Sequence, residues 1–135
     1  VEFETKSDLT RVLLVDDNER MLTRAAAVLS SGCEVVGAVK DGPSALKAAD
    51  ALHPDVIVLD ISMPGMSGFD VAMRLREAGC TAPVVFLTVH DDEDIVVRAR
   101  AVGGLGYVVK PRLSTDLARA VRDARAGRPF ESKLR

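Results

Sequence analysis

Five polar residues stand where apolar runs stop. Asp16 and Asp17 follow Val12–Val15, Asp60 follows Val56–Leu59, Thr88 follows Val84–Leu87, and Lys110 follows Tyr107–Val109. Each has an ordinary reading when taken alone. Asp17 suits a helix cap, and Asp60 and Lys110 each precede a turn. Three carboxylates, a hydroxyl and an ammonium in equivalent places are not, however, a packing solution. Gathered together, the carboxylates repel one another and require a cation. Oxygen-only ligands in an incomplete cage suit Mg2+, which keeps several waters and usually shares its shell with a phosphate. The set therefore points to phosphoryl chemistry at an acidic rim.

The elements that would build such a rim are legible along the chain. Arg11–Val15, Glu34–Val39, Asp55–Asp60, Val84–Thr88 and Leu105–Val109 are short apolar runs, dense enough for strands buried on both faces of a parallel sheet. Helical spacing separates them. One stripe is Met21, Leu22, Ala25, Val28 and Leu29, stopped by Ser31-Gly32, and a second is Ala45, Leu46, Ala49 and Leu52, entered through Asp41-Gly42-Pro43. A third is Phe69, Ala72, Met73 and Leu75, with Ser67 and Asp70 at capping-box spacing. The fourth is Ile95, Ala99 and Val102. The fifth is Leu113, Leu117, Val121 and Ala124, with Ser114 or Thr115 as its cap and Gly127 as its close.

Five strands, each followed by a helix, predict an α/β fold: a doubly wound, five-stranded parallel sheet in flavodoxin-like order 2-1-3-4-5 with helices on both faces. A barrel needs eight such units. In an open sheet ligands bind beyond the carboxyl ends of the strands, where the five residues stand. The expected organisation is an N-terminal tail over 1–10, the domain over 11–126, and a C-terminal tail or start of a linker over 127–135.

Bulk properties narrow the function classes. The 135 residues fit one domain, and 47% hydrophobic with 28% charged residues is a globular balance. The formal charge of −2 gives no field to draw the whole chain onto nucleic acid or an anionic membrane. Between Arg112 and Arg135 seven basic residues face three acidic ones, the pattern of a solvated helix face or a partner surface. No run spans a bilayer and Val1–Asp8 is not a secretory signal, so a cytoplasmic location is expected. Cys33 and Cys80 have no metal-ligand spacing. In the expected strand order they lie three spacings, about 14 Å, apart, too far for a disulfide.

The motifs Val12-Leu13-Leu14-Val15-Asp16-Asp17-Asn18, Val56-Ile57-Val58-Leu59-Asp60-Ile61-Ser62-Met63-Pro64-Gly65-Met66-Ser67-Gly68, Val84-Val85-Phe86-Leu87-Thr88 and Gly106-Tyr107-Val108-Val109-Lys110-Pro111 together resemble the receiver domain of two-component response regulators. The resemblance runs from about Arg11 to about Ala126. It implies that Asp60 is the phosphoacceptor. It implies Mg2+ held by Asp17, Asp60 and the backbone carbonyl of Ser62, with Asp16 acting through water. Lys110 would pair with a phosphoryl oxygen across a cis Lys110–Pro111 peptide. Thr88 would give its hydroxyl to the phosphate, and Tyr107 would swing inward as Thr88 moves. The implied partners are a sensor histidine kinase or phosphotransfer protein, and a second copy docking through the fourth helix, fifth strand and fifth helix. Direct nucleic-acid or membrane binding is not implied, nor is catalysis beyond the domain's own phosphorylation and dephosphorylation.

Two departures stand out. Val89 occupies a position that is usually very small, which suggests narrowed access to Asp60. Val102–Gly106 is unusually rich in glycine, which reads as a loop mobile before activation. His90 reads as a rim loop residue and His53 as structural. Other readings compete, and the intact five-residue site argues against a degenerate receiver used only for docking. Ala126–Ser132 resembles the linker before a DNA-binding output domain, so the chain also reads as the receiver part of a transcriptional regulator. An aspartyl-nucleophile phosphatase usually has a second acid two residues after the nucleophile, where Ser62 stands. A nucleotide-binding fold lacks its glycine-rich loop after the first strand.

Overall fold

A computed structural model describes residues 9–90 and 92–133. Most of the expected N-terminal tail and the last two residues lie outside these. Six strands alternate with five helices: β1 (Thr10–Val15), α1 (Glu19–Leu29), β2 (Cys33–Val39), α2 (Gly42–Leu52), β3 (Val56–Asp60), α3 (Gly68–Glu77), β4 (Val84–Thr88), α4 (Glu93–Ala101), β5 (Gly104–Val109), α5 (Leu113–Arg125) and β6 (Phe130–Glu131). The sheet is parallel throughout, in order β2-β1-β3-β4-β5-β6. The doubly wound order is as expected. The sixth strand is new, and it comes from the segment read as a tail.

Side chains of β1, β3, β4 and β5 alternate between two buried layers. Leu13, Val15, Ile57, Leu59, Val84 and Phe86 pack with α2, α3 and α4, while Val12, Leu14, Val56, Val58, Val85 and Leu87 pack with α1 and α5. Both layers exclude water, which is why these strands lack polar alternation. At roughly 25 cal/mol per Å2 of apolar area, this burial is the main force that fixes the rim. In α3 the inward set is Phe69, Val71, Ala72 and Leu75, whereas Met73, expected inside, is 48% exposed. A stripe wider than the a/d positions brings Val71 in and turns Met73 out.

The local stops mostly follow the sequence. Asp41 caps α2 by accepting from the Ser44 amide at 2.8 Å, and Ser67 with Asp70 forms a reciprocal capping box on α3. Neither Ser114 nor Thr115 caps α5. A 3-10 turn, Lys110–Arg112, leads straight into that helix, and Thr115 donates its hydroxyl to the Arg112 carbonyl at 3.1 Å. The glycine-rich entry to β5 is a packing device rather than a slack loop. A Cβ on Gly104 would stand 2.5 Å from the Phe86 ring, so only glycine lets β5 close on β4 there. Cys33 and Cys80 are both free thiols. Among the described residues no helix is long and apolar enough to cross a membrane.

Candidate functional site

β3 ends on an acid and β1 is followed directly by one, because their apolar stretches run out at the rim of the sheet. Asp16 and Asp60 are left 1% and 2% exposed, while Asp17, one residue farther, is exposed. Carboxylate oxygens of Asp16, Asp17 and Asp60 lie within 4.8 Å of one another. Asp17 is not the helix cap. Asn18 takes that role, accepting from Arg20 and Met21 amides at 2.9 and 3.2 Å, and its own amide donates to Asp16 Oδ1 at 2.8 Å. Asn18 thereby holds one oxygen of Asp16 and leaves Asp17 unengaged as a cap. The residue is legible in sequence, as a capping type directly before a helical stripe.

Lys110 arrives from the end of β5. The expected cis Lys110–Pro111 bond is absent; no described peptide bond is cis. Extended backbone at Val109, followed by a 3-10 turn that accepts Pro111 in its first positions, delivers the lysine through a trans bond. Its Nζ stands 3.0 Å from Asp16 Oδ2 and 3.3 Å from Asp60 Oδ1. The contact with Asp16 Oδ2 is an ion pair off the line of a hydrogen bond, and this buried oxygen has no hydrogen-bond partner among the described residues. Asp60 Oδ1 also accepts from the Ser62 amide at 3.3 Å. Behind it, Gly68 donates to the Ile61 carbonyl at 2.8 Å, and a Cβ at Gly68 would collide with the Asp60 carbonyl.

One ammonium shared by two buried acids leaves the site short of positive charge. Burial and the neighbouring Asp16 push Asp60 up to about 7, against the pull of Lys110 and the Ser62 amide. Burial works against the Lys110 ammonium, but its short contact with Asp16 and the charge of Asp60 outweigh this and raise it. The donor set therefore fits a hard divalent cation: three carboxylates in reach of one another, one buried oxygen without a hydrogen bond, and no sulfur or imidazole.

Thr88 ends β4 at 2% exposure, and its Oγ1 accepts from the His90 amide at 3.1 Å. Tyr107, 4% exposed, donates its hydroxyl to the His90 carbonyl at 2.7 Å. The ring is thus already inward here. His90 bridges the two expected switch residues with its backbone, a role the sequence reading missed. The signal was its position two after a threonine, where an amide can turn back onto the hydroxyl. Val89 is 60% exposed, so most of its side chain stands in solvent and does not support narrowing of the site by bulk. His53 caps α2 in a left-handed conformation, φ 49°, and its carbonyl accepts from Arg11 at 2.8 Å.

This arrangement has close parallels. A family profile described as the response regulator receiver domain matches residues 12–122. The nitrate/nitrite response regulator protein NarL of Escherichia coli K12 is 35% identical over 118 residues, covering 86% of this chain and 55% of NarL. The positive alginate biosynthesis regulatory protein of Pseudomonas aeruginosa is 40% identical, covering 91% of this chain and 49% of the relative. The chain thus spans about half the length of these curated relatives. Among solved structures, the signal receiver domain of NarL from Mycobacterium tuberculosis superposes with a TM-score of 0.85 at 34% identity, covering 90% of this chain and 99% of that one. The Vibrio cholerae chemotaxis protein CheY4 gives 0.79 at 30% identity, covering 86% and 98%. With the family profile matched over residues 12–122, and relatives and solved receiver structures at 30–40% identity, the chain belongs to the response regulator receiver domain family.

Proposed function

We propose that Asp60 accepts a phosphoryl group from a phosphohistidine on a sensor kinase or phosphotransfer protein. The observation that carries this reading is a buried carboxylate within 3.3 Å of Lys110 and beside two further acids. An Asp60 oxygen attacks phosphorus, the phosphorus–nitrogen bond of the donor breaks, and the departing imidazole nitrogen keeps the electron pair and takes a proton from solvent. Lys110 neutralises an equatorial phosphoryl oxygen and leaves its contact with Asp16 or Asp60 to do so. Mg2+ held by Asp17, Asp60 and the Ser62 carbonyl, with Asp16 through water, would supply the remaining charge neutralisation on the phosphoryl oxygens. The product is a mixed anhydride, labile to water and suited to a reversible signal.

Thr88 then turns its hydroxyl to the phosphoryl group and gives up its contact with the His90 amide. Tyr107, bonded to the same His90, reads that movement out toward α4 and α5. The domain catalyses only its own phosphorylation and dephosphorylation, and its place of action is the cytoplasm, where such donors are. Incubation with Mg2+ and acetyl phosphate, read by intact mass beside an Asp60→Asn control, tests the reading. One base-labile phosphoryl adduct on the wild type alone is expected. An adduct on the Asp60→Asn chain, or turnover of external phosphoesters, would overturn it.

A second reading concerns what the switch drives. The relatives are about twice the matched length, and LiaR of Bacillus subtilis, 34% identical over 129 residues, is named a transcriptional regulatory protein. This supports a receiver that controls a DNA-binding output domain. The coding sequence after Arg135 checks it directly.

A further inference from the structure

β6 is only two residues long, yet it is tied to three elements. Its ladder pairs Phe130 with Gly106 and Glu131 with Tyr107 on β5. Glu131 meets Arg100 of α4 at 2.7 Å. The Arg119 guanidinium of α5 lies 5.7 Å from the centre of the Phe130 ring. Arg128 is anchored to Asp123 by its amide at 2.7 Å and its guanidinium at 3.1 Å. Ser132 donates its amide to the Tyr107 carbonyl at 2.8 Å and its hydroxyl to buried Asp116 at 2.6 Å. The segment thus covers the free edge of β5, on the face formed by α4, β5 and α5.

A continuous series of hydrogen bonds joins this cover to the rim. Thr88 Oγ1 accepts from the His90 amide, the His90 carbonyl accepts from the Tyr107 hydroxyl, and the Tyr107 carbonyl accepts from the Ser132 amide. Release of the segment leaves little behind in distress. Asp116 keeps the bidentate Arg112 contact at 2.8 and 3.3 Å, water replaces the Ser132 hydroxyl, and the β5 edge groups face solvent. A two-residue ladder, two ion pairs with exposed arginines and the two hydrogen bonds of Ser132 are a small hold, at the low end of local stability.

We propose that Arg128–Ser132 is a releasable strap, the resident occupant of the α4–β5–α5 face, whose docking is coupled to the state of Asp60 through Thr88, His90, Tyr107 and Ser132. The coupling rests on the phosphoacceptor reading of Asp60. While docked, the strap bars that face to a second copy of the chain or any partner that adds an extended segment to β5. When Thr88 turns toward a phosphoryl group, the His90 turn loses its acceptor, the bond from the Tyr107 hydroxyl to the His90 carbonyl is disturbed, and the strap loses its register. Arg100, Arg119 and the β5 edge are then open together, a surface matched to an extended segment with an aromatic and an acidic side chain, as Phe130 and Glu131 are. By reciprocity, a chain whose strap is loosened must also loosen the His90 turn.

Millisecond amide hydrogen exchange on the full chain tests this, followed by mass in the segments 128–133 and 87–90. With Mg2+ and beryllium fluoride as the phosphoryl mimic, wild-type exchange in 128–133 should rise roughly tenfold, within the usual range of coupling between sites. Mimic binding is read separately as a change in 87–90. A change there with 128–133 unmoved overturns the coupling and leaves the phosphoacceptor reading standing. Without any mimic, Ser132→Ala should speed exchange in 87–90 as well as in 128–133. A strap that matters only locally would leave 87–90 unchanged, and that result overturns the proposal even if the mimic fails to bind and the phosphoacceptor reading falls with it.

Discussion

Two aspartates are buried in this domain, each beside a cation, and they are perturbed in opposite directions. Asp60, 2% exposed, shares the Lys110 ammonium with Asp16 and is pushed up to about 7. Asp116, 8% exposed, has the Arg112 guanidinium to itself in a bidentate contact, accepts from the Ser132 hydroxyl, and is held below the usual carboxylate range by Arg112 first. The difference is not burial but the ratio of charges and donors. One site is left in electrostatic debt, which an incoming cation and phosphoryl group can settle. The other is complete and has nothing further to bind.

The comparison can be broken from the reactive side first. Asp60→Asn should abolish the phosphoryl adduct altogether. It should also stabilise the metal-free fold at pH 8 while doing little near pH 4. Asp60 titrates near 3.8 in the unfolded chain and near 7 in the folded one, so the folded state binds the extra proton in between. Its favourable contribution is full below 3.8 and lost as pH rises through 7, a loss the asparagine does not suffer. Thermal melts across that range without Mg2+ check this; a flat difference between the two proteins would contradict the assignment.

Lys110→Ala should come next. It leaves Asp16 and Asp60 buried with no cation, which costs about 3 kcal/mol near pH 8 in metal-free denaturant unfolding. It should slow phosphorylation by acetyl phosphate by roughly 100-fold. Added Mg2+ should recover more of the stability than of the rate. On the structural side, Asp116→Asn should still give the phosphoryl adduct on Asp60 and should lower the thermal midpoint by a few degrees at pH 7. Because Asp116 is held low in the folded state, its contribution is present above 3.8 and disappears as pH falls through the folded value, so the two melts should converge in acid. Val89→Ala should have the smallest effect, within about twofold in adduct formation and loss, since its side chain is mostly in solvent.

The gathering of the acidic rim was legible in the sequence, and the buried Asp116 was not. Asp16, Asp60, Thr88 and Lys110 end uninterrupted apolar runs, and a parallel sheet places all such ends on one rim whatever the exact register. Asp116 looked like one more charge on an exposed helix face, spaced four residues from Arg112. Its burial depends on Ser132, sixteen residues on, in a strand too short to show any periodicity. The same limit explains the sixth strand itself. Gly127 read correctly as the close of α5, but pairing of Phe130 and Glu131 with β5 is a tertiary event. The Lys110–Pro111 bond was expected cis by resemblance. Here the 3-10 turn reaches the same place with the ordinary isomer.

Strand β5, Gly104–Val109, reads Gly-Leu-Gly-Tyr-Val-Val and carries no charge, no proline and no lysine to discourage pairing. With β6 in place its outer backbone is partly spoken for; without it, the sheet would end on a bare, uncharged template of the kind that recruits neighbouring chains edge to edge. Phe130, Glu131 and Ser132 therefore also act as a gatekeeper of solubility. Preparations trimmed before Pro129 should clump at concentrations at which the whole chain stays dispersed, a difference light scattering would show within one dilution series.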